Sequence, residues 1–246
     1  MKFNNYFEPF VGGGAVLFEF QPKNASINDV NSELIWTYNV IKKNLSELSE
    51  LLKILDSNEN NNEIYYERRT QYNKKVVNKQ YDVELAALFI YLNKRCFNGL
   101  YRVNRDGLFN VPYNNKKSVK SFEEDNLERM SRFLRSVNIT NLDFEESLSQ
   151  ATKGDFIFID SPYVPLNETS FDSYTKYGFG YEEHLRLANL FRNLDKKGCY
   201  VMLTNSNSSL VHELYKDFNI EIVEAKRMIN CDAANRVATE VIITNY

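Results

Sequence analysis

The sequence predicts an α/β protein: a mostly parallel, doubly wound sheet of Rossmann-like form, with a mainly helical lobe inserted into it. Three observations carry that expectation. Short apolar runs alternate with helix-like stretches near both ends of the chain, as parallel sheets require. A glycine cluster, Gly12-Gly13-Gly14, joins a strand-like stretch, Tyr6 to Val11, to a helix-like one, Ala15 to Phe20. The run Phe156 to Ile159 reads as a buried strand and ends on Asp160-Ser161-Pro162-Tyr163. Ligands of open α/β sheets bind outside such strand ends.

The elements follow in order. After the glycine cluster, Ala25-Ser26-Ile27 reads as a second strand ending near Asp29. Asn31 to Lys43 reads as a helix with Leu34, Ile35, Tyr38 and Ile41 on one face, and Trp36 as a packing residue rather than a stacking platform. Leu45 to Leu55 is a further helix, and the Asn-rich break at 58–62 opens an excursion to a second lobe. Val83 to Asn93 is apolar and helical. Arg102 to Val111 reads as a hairpin, with Asp106-Gly107 as its turn. Strand–helix alternation resumes at Ile139–Leu142, which ends at Asp143-Phe144. It continues through strands at Phe156–Ile159, Tyr200–Thr204, Ile220–Glu224 and Val237–Thr244, with helices at Tyr181–Leu194 and Ser208–Phe218. The segment Val164 to Gly180 reads as a long polar loop able to order over a ligand.

Composition sets bounds on function. The formal net charge is −3, so a nucleic-acid partner requires local concentration of cations. Lys94, Arg95, Arg102, Arg105, Lys116, Lys117 and Lys120 lie in one stretch opposed by Asp106, and Arg68, Arg69, Lys74, Lys75 and Lys79 form a lesser cluster. A solvated face is the plainer reading of such runs taken alone. Cys96, Cys199 and Cys231 have neither disulfide-framework nor zinc spacing, and His184 and His212 are expected on helix surfaces. No metal is expected. With no signal peptide and no apolar run of spanning length, the expected location is the cytoplasm and no membrane partner is implied.

The glycine cluster lies within Phe7-Glu8-Pro9-Phe10-Val11-Gly12-Gly13-Gly14 and is not a dinucleotide fingerprint, since Leu17 stands where the last glycine would be. Its glycines let backbone approach a ligand closely, and Asp29 is placed to bind ribose hydroxyls. Asp160-Ser161-Pro162-Tyr163 combines a carboxylate, a backbone carbonyl and an aromatic ring, the parts that chemistry on a flipped-out base uses.

Together with Asn93-Lys94-Arg95-Cys96-Phe97-Asn98-Gly99-Leu100-Tyr101-Arg102, the continuation to Tyr113 and the stretch Asp160–Tyr181, these motifs resemble adenine-specific DNA methyltransferases of the Dam type, in the branch of the DpnII modification methylase. The resemblance covers nearly the whole chain, in the α order of cofactor motif, target-recognition region and catalytic motif. It implies a class I methyltransferase fold with a seven-stranded sheet. Residues 1–45 and 137–246 would form the cofactor-binding catalytic domain, and 46–136 the target-recognition lobe. The implied cofactor is S-adenosyl-L-methionine, held by Glu8, Pro9, Phe10, Gly12, Gly14, Asp29, Asp143, Phe144 and Asp160. The implied catalytic residues are Asp160, Ser161, Pro162 and Tyr163.

Double-stranded DNA, within GATC, is the implied substrate. Lys116 and Lys117 would touch phosphate, and Arg95, Asn98, Arg102 and Asn110 would read base edges. Tyr101 and Tyr113 belong to the same surface or, with Phe109, to the hairpin's own core. A restriction endonuclease is the implied genetic partner, and a monomer or weak dimer the expected state. Two departures stand out. The family's K-W-x-G-G-K-like segment is absent before the glycine cluster, since the sequence begins at Met1, and Ser161 replaces the first proline of the usual D-P-P-Y. A remnant that binds DNA or cofactor without turnover is therefore an open alternative, as is a methyltransferase acting on RNA or another amine, against which Asn93–Tyr113 speaks.

Overall fold

The computed structural model describes residues 2–57, 61–116, 119–165, 178–226 and 237–246. The chain forms two compact units, one of Met1–Val30 with Leu142–Tyr246 and one of Asn31–Asn141.

The strands are β1 (Tyr6–Glu8), β2 (Ala25–Asn28), β3 (Asn138–Thr140), β4 (Phe156–Asp160), β5 (Tyr200–Ser206), β6 (Asn219–Lys226) and β7 (Val237–Thr244). They form one seven-stranded sheet in the order β3-β2-β1-β4-β5-β7-β6. β1 pairs in parallel with β2 and β4, and β4 with β5. β7 runs antiparallel between β5 and β6. The mostly parallel α/β sheet expected from the alternating runs is present. β1 and β4 sit near its centre: β4 reads as a continuous apolar run, Phe156–Ile159, and all three residues of β1 are buried, as in strands covered on both faces. Register places Tyr6 opposite both Ala25 and Phe156, so β1, β2 and β4 start at one level and their carboxyl ends fall within two residues of one another; Asp160 at the end of β4 pairs with Thr204 of β5.

The sheet unit's core lies between these strands and α8 (Tyr181–Lys197), where Ile157, Ile159, Val201 and Leu203 meet Leu187, Phe191 and Leu194. α8 ends at Gly198 in the left-handed conformation (φ 80°), with Lys196 and Lys197 in its last turn. Both features suit a helix C-terminus. The short α1 (Ala15–Phe20), α7 (Phe144–Ser147) and α9 (Ser209–Leu214) complete the unit. α9 is shorter than its expected span. Ser208 is its cap, accepting the Val211 N–H at 3.4 Å, and the chain turns at Tyr215.

The second unit holds α2 (Ser32–Lys43), α3 (Leu45–Ser57), α4 (Asn62–Val77), α5 (Val83–Arg95) and α6 (Glu124–Leu134). Its bounds differ from the expected 46–136, because α2 packs on α3, α5 and α6 and so belongs with them. Asn31, Asn61 and Asp82 cap α2, α4 and α5 by accepting backbone N–H groups, as short polar side chains do at helix starts. α5 is buried along Leu85, Leu88, Tyr91 and Leu92. Trp36 packs as expected: its indole N–H donates to the Asp82 carbonyl at 2.8 Å and its ring meets Tyr81 edge-on. Among the described residues no helix is long and apolar enough to cross a membrane.

Candidate functional site

A cleft of ≈ 970 Å³ opens at the carboxyl ends of β1, β2 and β4. Its floor is the turn after β1. Pro9 ends that strand, since it cannot donate to a ladder. The chain then passes through Gly12 (φ 47°) and Gly14 (φ 67°), conformations that favour glycine. Gly14 N–H donates to Val11 O at 2.7 Å, and Gly12 N–H donates to the Asp29 carboxylate at 3.0 Å. A Cβ placed on Gly12 or Gly13 would meet nothing within 4 Å, so the turn presents bare backbone to open space.

Buried Asn28 organises this floor. Its amide donates to Pro9 O at 3.1 Å and Leu142 O at 3.0 Å, and its Oδ1 accepts the Leu142 N–H at 2.8 Å. One side chain thus fixes the end of β1, the end of β2 and the approach to Asp143. Sequence reasoning missed it. The only available signal was a polar residue closing a buried strand directly before Asp29.

One wall is aromatic. Phe10 and Phe144 stack with ring centroids 5.3 Å apart, and Phe179 lies 5.7 Å from Phe10 and 5.8 Å from Phe144. Asp143 caps α7 and binds Arg186 at 2.9 Å; that guanidinium also meets Glu183 at 2.7 Å and Glu145 at 3.2 Å, and lies 4.8 Å over the Phe144 ring. His184 is not on a helix surface, as expected from the sequence, but 2% exposed behind this wall, edge-on to Phe179 at 4.8 Å. Burial pushes its imidazole down to about 4, so it is neutral near pH 7. His212 is half-buried on α9, with Nε2 2.7 Å from Asn207 Oδ1.

The opposite wall is the turn after β4. Asp160 Oδ1 accepts from the Thr204 hydroxyl at 2.6 Å, which orients the carboxylate. Ser161 is buried, its Oγ 3.4 Å from the Asn205 amide donor. Asn205 Oδ1 accepts the Val164 N–H at 2.9 Å, and Ser206 Oγ donates to Val164 O at 2.7 Å, so two side chains of β5 staple the turn. Exposed Pro162 and half-buried Tyr163 line the cleft, and the Tyr163 hydroxyl donates to Glu240 at 3.2 Å. Burial pushes that phenol up to about 12.

Glu8 is 3% exposed, accepts from Tyr6 OH at 2.7 Å, and is held at about 7, chiefly by burial and also by the nearby Asp160 charge. All nine residues expected to hold cofactor, and all four expected catalytic ones, line this single cleft. Of the long loop expected over the site, residues 166–177 lie outside the described residues.

The residues singled out for nucleic acid separate into two groups in the helical unit. Exposed are Asn98, Tyr101, Arg102 and Lys116, with Asn110 half-buried beside them. The hairpin is present as a bridge between Val103 and Phe109, with Asn104 N–H donating to Leu108 O at 2.8 Å and Gly107 (φ 75°) in its turn. Asn110 Oδ1 accepts from Arg102 Nε at 2.8 Å.

Arg95 and Tyr113 are buried instead. Arg95, 1% exposed, pairs with Asp56 at 2.8 Å, donates to Ser121 Oγ at 2.6 Å and to Val119 O at 2.5 Å, and lies 4.1 Å over the Tyr91 ring. In this position it is a strut of the lobe, and the base-reading role expected of it has no geometric support. A desolvated cation is tolerable here because its donors are satisfied. Tyr113 packs on Tyr65 at 5.2 Å and donates to Lys116 O, so it belongs to the core under the hairpin. Tyr101 touches Phe89 and Phe109 while keeping an exposed edge. Phe97, exposed beside Asn98, is a ring that the sequence reading left out. Lys117 lies outside the described residues.

A parallel sheet with a glycine turn and an acidic–proline–aromatic turn facing one cleft defines the methyltransferase class of α/β enzyme. Residues 2–229 match the family model of D12 class N6 adenine-specific DNA methyltransferases, and the chain belongs to that family. It is 46% identical over 249 residues to a type II methyltransferase of Lactococcus lactis subsp. cremoris, covering 100% of this chain and 87% of that protein. It is 44% identical over 255 residues to a type II methyltransferase of Methanocaldococcus jannaschii, covering 98% and 88%. To the DNA adenine methylase of Escherichia coli K12 it is 30% identical over 241 residues, covering 97% and 85%. The resemblance to adenine-specific DNA methyltransferases read from the motifs is thereby established.

Proposed function

We propose that the protein transfers the methyl group of S-adenosyl-L-methionine to the exocyclic amino group of adenine in double-stranded DNA, within GATC. The observation that carries this reading is the placement of Asp160, Ser161 and Tyr163 across one cleft from the Gly12–Gly14 turn. The residues present fit that cofactor. Glu8, Asp29, Asp143 and Asp160 surround the cleft with carboxylates that suit a cationic ligand, the bare glycine turn admits close approach, and Phe10, Phe144 and Phe179 offer faces for a purine.

When bound, S-adenosyl-L-methionine supplies an electrophilic methyl on a sulfonium, so the protein's task is binding and orientation. Asp29 would hold the cofactor's ribose hydroxyls, and Asp143 with Phe144 its adenine. Tyr163 stacks on the flipped target base. The Asp160 carboxylate and the Ser161 carbonyl accept the two hydrogens of the target amino group. That favours a pyramidal nitrogen, whose lone pair is otherwise spread into the ring. Acceptors placed where positive charge develops lower the barrier directly. The hydroxyl of Thr204 fixes the acceptor before substrate arrives.

The exposed Lys116 and Arg102, with Asn98 and Asn110, supply phosphate and base contacts from the helical unit. GATC rests on the resemblance of Asn93–Tyr113 alone; the relatives named DNA adenine methylase support adenine in DNA as the target. The test is incubation with labelled cofactor and GATC duplex, followed by digestion with methylation-sensitive nucleases. Label in duplexes lacking GATC would overturn the site, and label in RNA alone the substrate.

A further inference from the structure

We infer that Asn73, together with Tyr65 and Arg69, is a positioning device for sequence readout: α4 holds the recognition hairpin by its backbone and so aims Arg102. This inference rests on the proposed DNA-reading role of the hairpin. The three residues recur at every fourth position of α4 and lie on one helix face. Each bonds to backbone of the hairpin's second limb. Tyr65 OH donates to Val111 O at 2.9 Å and Arg69 to the same oxygen at 3.3 Å. Asn73 Nδ2 donates to Phe109 O at 3.1 Å, and its Oδ1 accepts the Phe109 N–H at 2.9 Å.

Phe109 and Val111 are two apart, so their polar groups face one edge. The Asn73 amide meets that edge as the backbone of a neighbouring strand would. The arrangement answers a particular difficulty. Among the described residues the hairpin's limbs are joined by the Val103–Phe109 bridge and a few hydrogen bonds, with a second bridge, Cys96–Tyr113, at its base, and an isolated two-stranded hairpin is marginal in water. The helix stripe supplies the missing partner strand.

The link to specificity runs through one residue. Asn110 follows Phe109; its N–H donates to Arg102 O at 3.1 Å and its Oδ1 accepts from Arg102 Nε at 2.8 Å. Fixing Phe109 fixes Asn110, and Asn110 sets the plane of the guanidinium fork. A base-reading arginine discriminates only when its fork is held in register with the base edge.

The test uses the full chain and measures kcat/KM on a GATC duplex and on duplexes with one base changed. Asn73→Leu removes both bonds at similar volume and should lower the discrimination ratio about tenfold. Asn73→Asp keeps the acceptor for Phe109 N–H and should lower it less. Binding to non-cognate duplex, its salt dependence and S-adenosyl-L-methionine affinity should not move. In an Arg102→Ala background, Asn73→Asp should produce no further loss. A parallel fall on all duplexes, an unchanged ratio, or additive loss in the double variant would overturn the inference. Should Asn73→Leu fail to fold, Asn73→Asp and the double variant decide. A wild type that does not discriminate would instead sink the recognition reading, and this inference with it.

Discussion

The cleft of the sheet unit and the recognition segment of the helical unit are assembled in opposite ways. The cleft draws its lining from six separate parts of the chain, Glu8 to Val16, Asn28 to Val30, Leu142 to Phe144, Phe158 to Tyr163, Gly178 to Arg186 and Glu240, and its charge is mainly carboxylate. The recognition segment takes its exposed polar groups from one continuous run, Lys94 to Lys116, and its charge is mainly cationic. The average of −3 conceals both. A sheet gathers distant residues because its strands end side by side along one edge. A hairpin can only present neighbours, and must then be braced from outside. The same difference governs how each site should fail: cleft substitutions should act on cofactor binding or methyl transfer, and lobe substitutions on how tightly DNA is held and which DNA is chosen.

The largest effect is expected at Asp160. Asp160→Ala removes one of the two acceptors proposed for the target amino group and should raise the methyl-transfer barrier by about 3–4 kcal/mol. Single-turnover transfer at saturating cofactor reads that step alone. Loss confined to KM for DNA would move Asp160 from chemistry to binding. Next, Asp29→Ala should weaken S-adenosyl-L-methionine binding by about 1–3 kcal/mol, the cost of a charge-assisted hydrogen bond. Asp29 also accepts the Gly12 N–H, so part of that loss would come from a loosened turn. Calorimetry showing unchanged affinity would remove Asp29 from the cofactor site.

In the lobe, Arg102→Ala should cost about 1–3 kcal/mol against the preferred base while sparing non-specific affinity. Lys116→Ala should weaken all duplexes alike and reduce the salt slope by about one. If the two variants behaved identically, the division between base reading and phosphate contact within this segment would collapse.

The two regions also differed in legibility. The cleft was readable because its motifs carry backbone logic: glycines where φ is positive, a strand that stops at proline, an acidic residue at each strand end. What escaped was support chemistry. Asn28, Thr204, Asn205 and Arg186 act on other residues' backbone or carboxylates, and no local spacing announces that. In the lobe, α2, α3 and α5 follow apolar periodicity. α4 does not, since only Tyr65 and Tyr72 are buried and its polar face is occupied by bonds to the hairpin. α6 has a buried face of Leu127, Ser131 and Leu134 and could have been read. Arg95 misled because a cation in a basic run looks solvated. Its partner Asp56 lies 39 residues earlier, and only the fold joins them.

A smaller effect follows from Glu8. Burial holds its carboxyl near 7 rather than in the usual carboxylate range, helped by the Asp160 charge and opposed by the bond from Tyr6 OH. The raised value means the folded protein holds a proton between about 4.5 and 7 that the unfolded chain has lost, so stability of the free protein falls as pH rises through that window. A cationic ligand favours the carboxylate. Cofactor affinity should therefore rise with pH up to about 7, by no more than about tenfold per unit, and level off above. Glu8→Gln should flatten both profiles. Retention of the affinity slope in that variant would assign the proton to another group.

The smallest effect is expected at Ser161, where the family's usual residue is proline. Asp160 is already in an extended strand, as the residue before a proline must be, so Ser161→Pro meets no conflict there. The substitution removes the backbone N–H of residue 161 and the Ser161 Oγ as acceptor for the buried Asn205 amide, a long contact of 3.4 Å. Asn205 keeps its bonds to Val164 and Ser206, so the turn stays stapled. Stability should fall by about 1 kcal/mol, the low end for a buried donor that loses a long acceptor, and the backbone carbonyl proposed to accept from the target amino group is retained. Single-turnover rates for Ser161→Pro and wild type should agree within a few fold, and Ser161→Ala should match both. A rate at least tenfold faster in the proline variant would mean that serine leaves the acceptor too loosely held. The cleft would then be fully formed around cofactor yet impaired at the one turn that touches the reacting nitrogen.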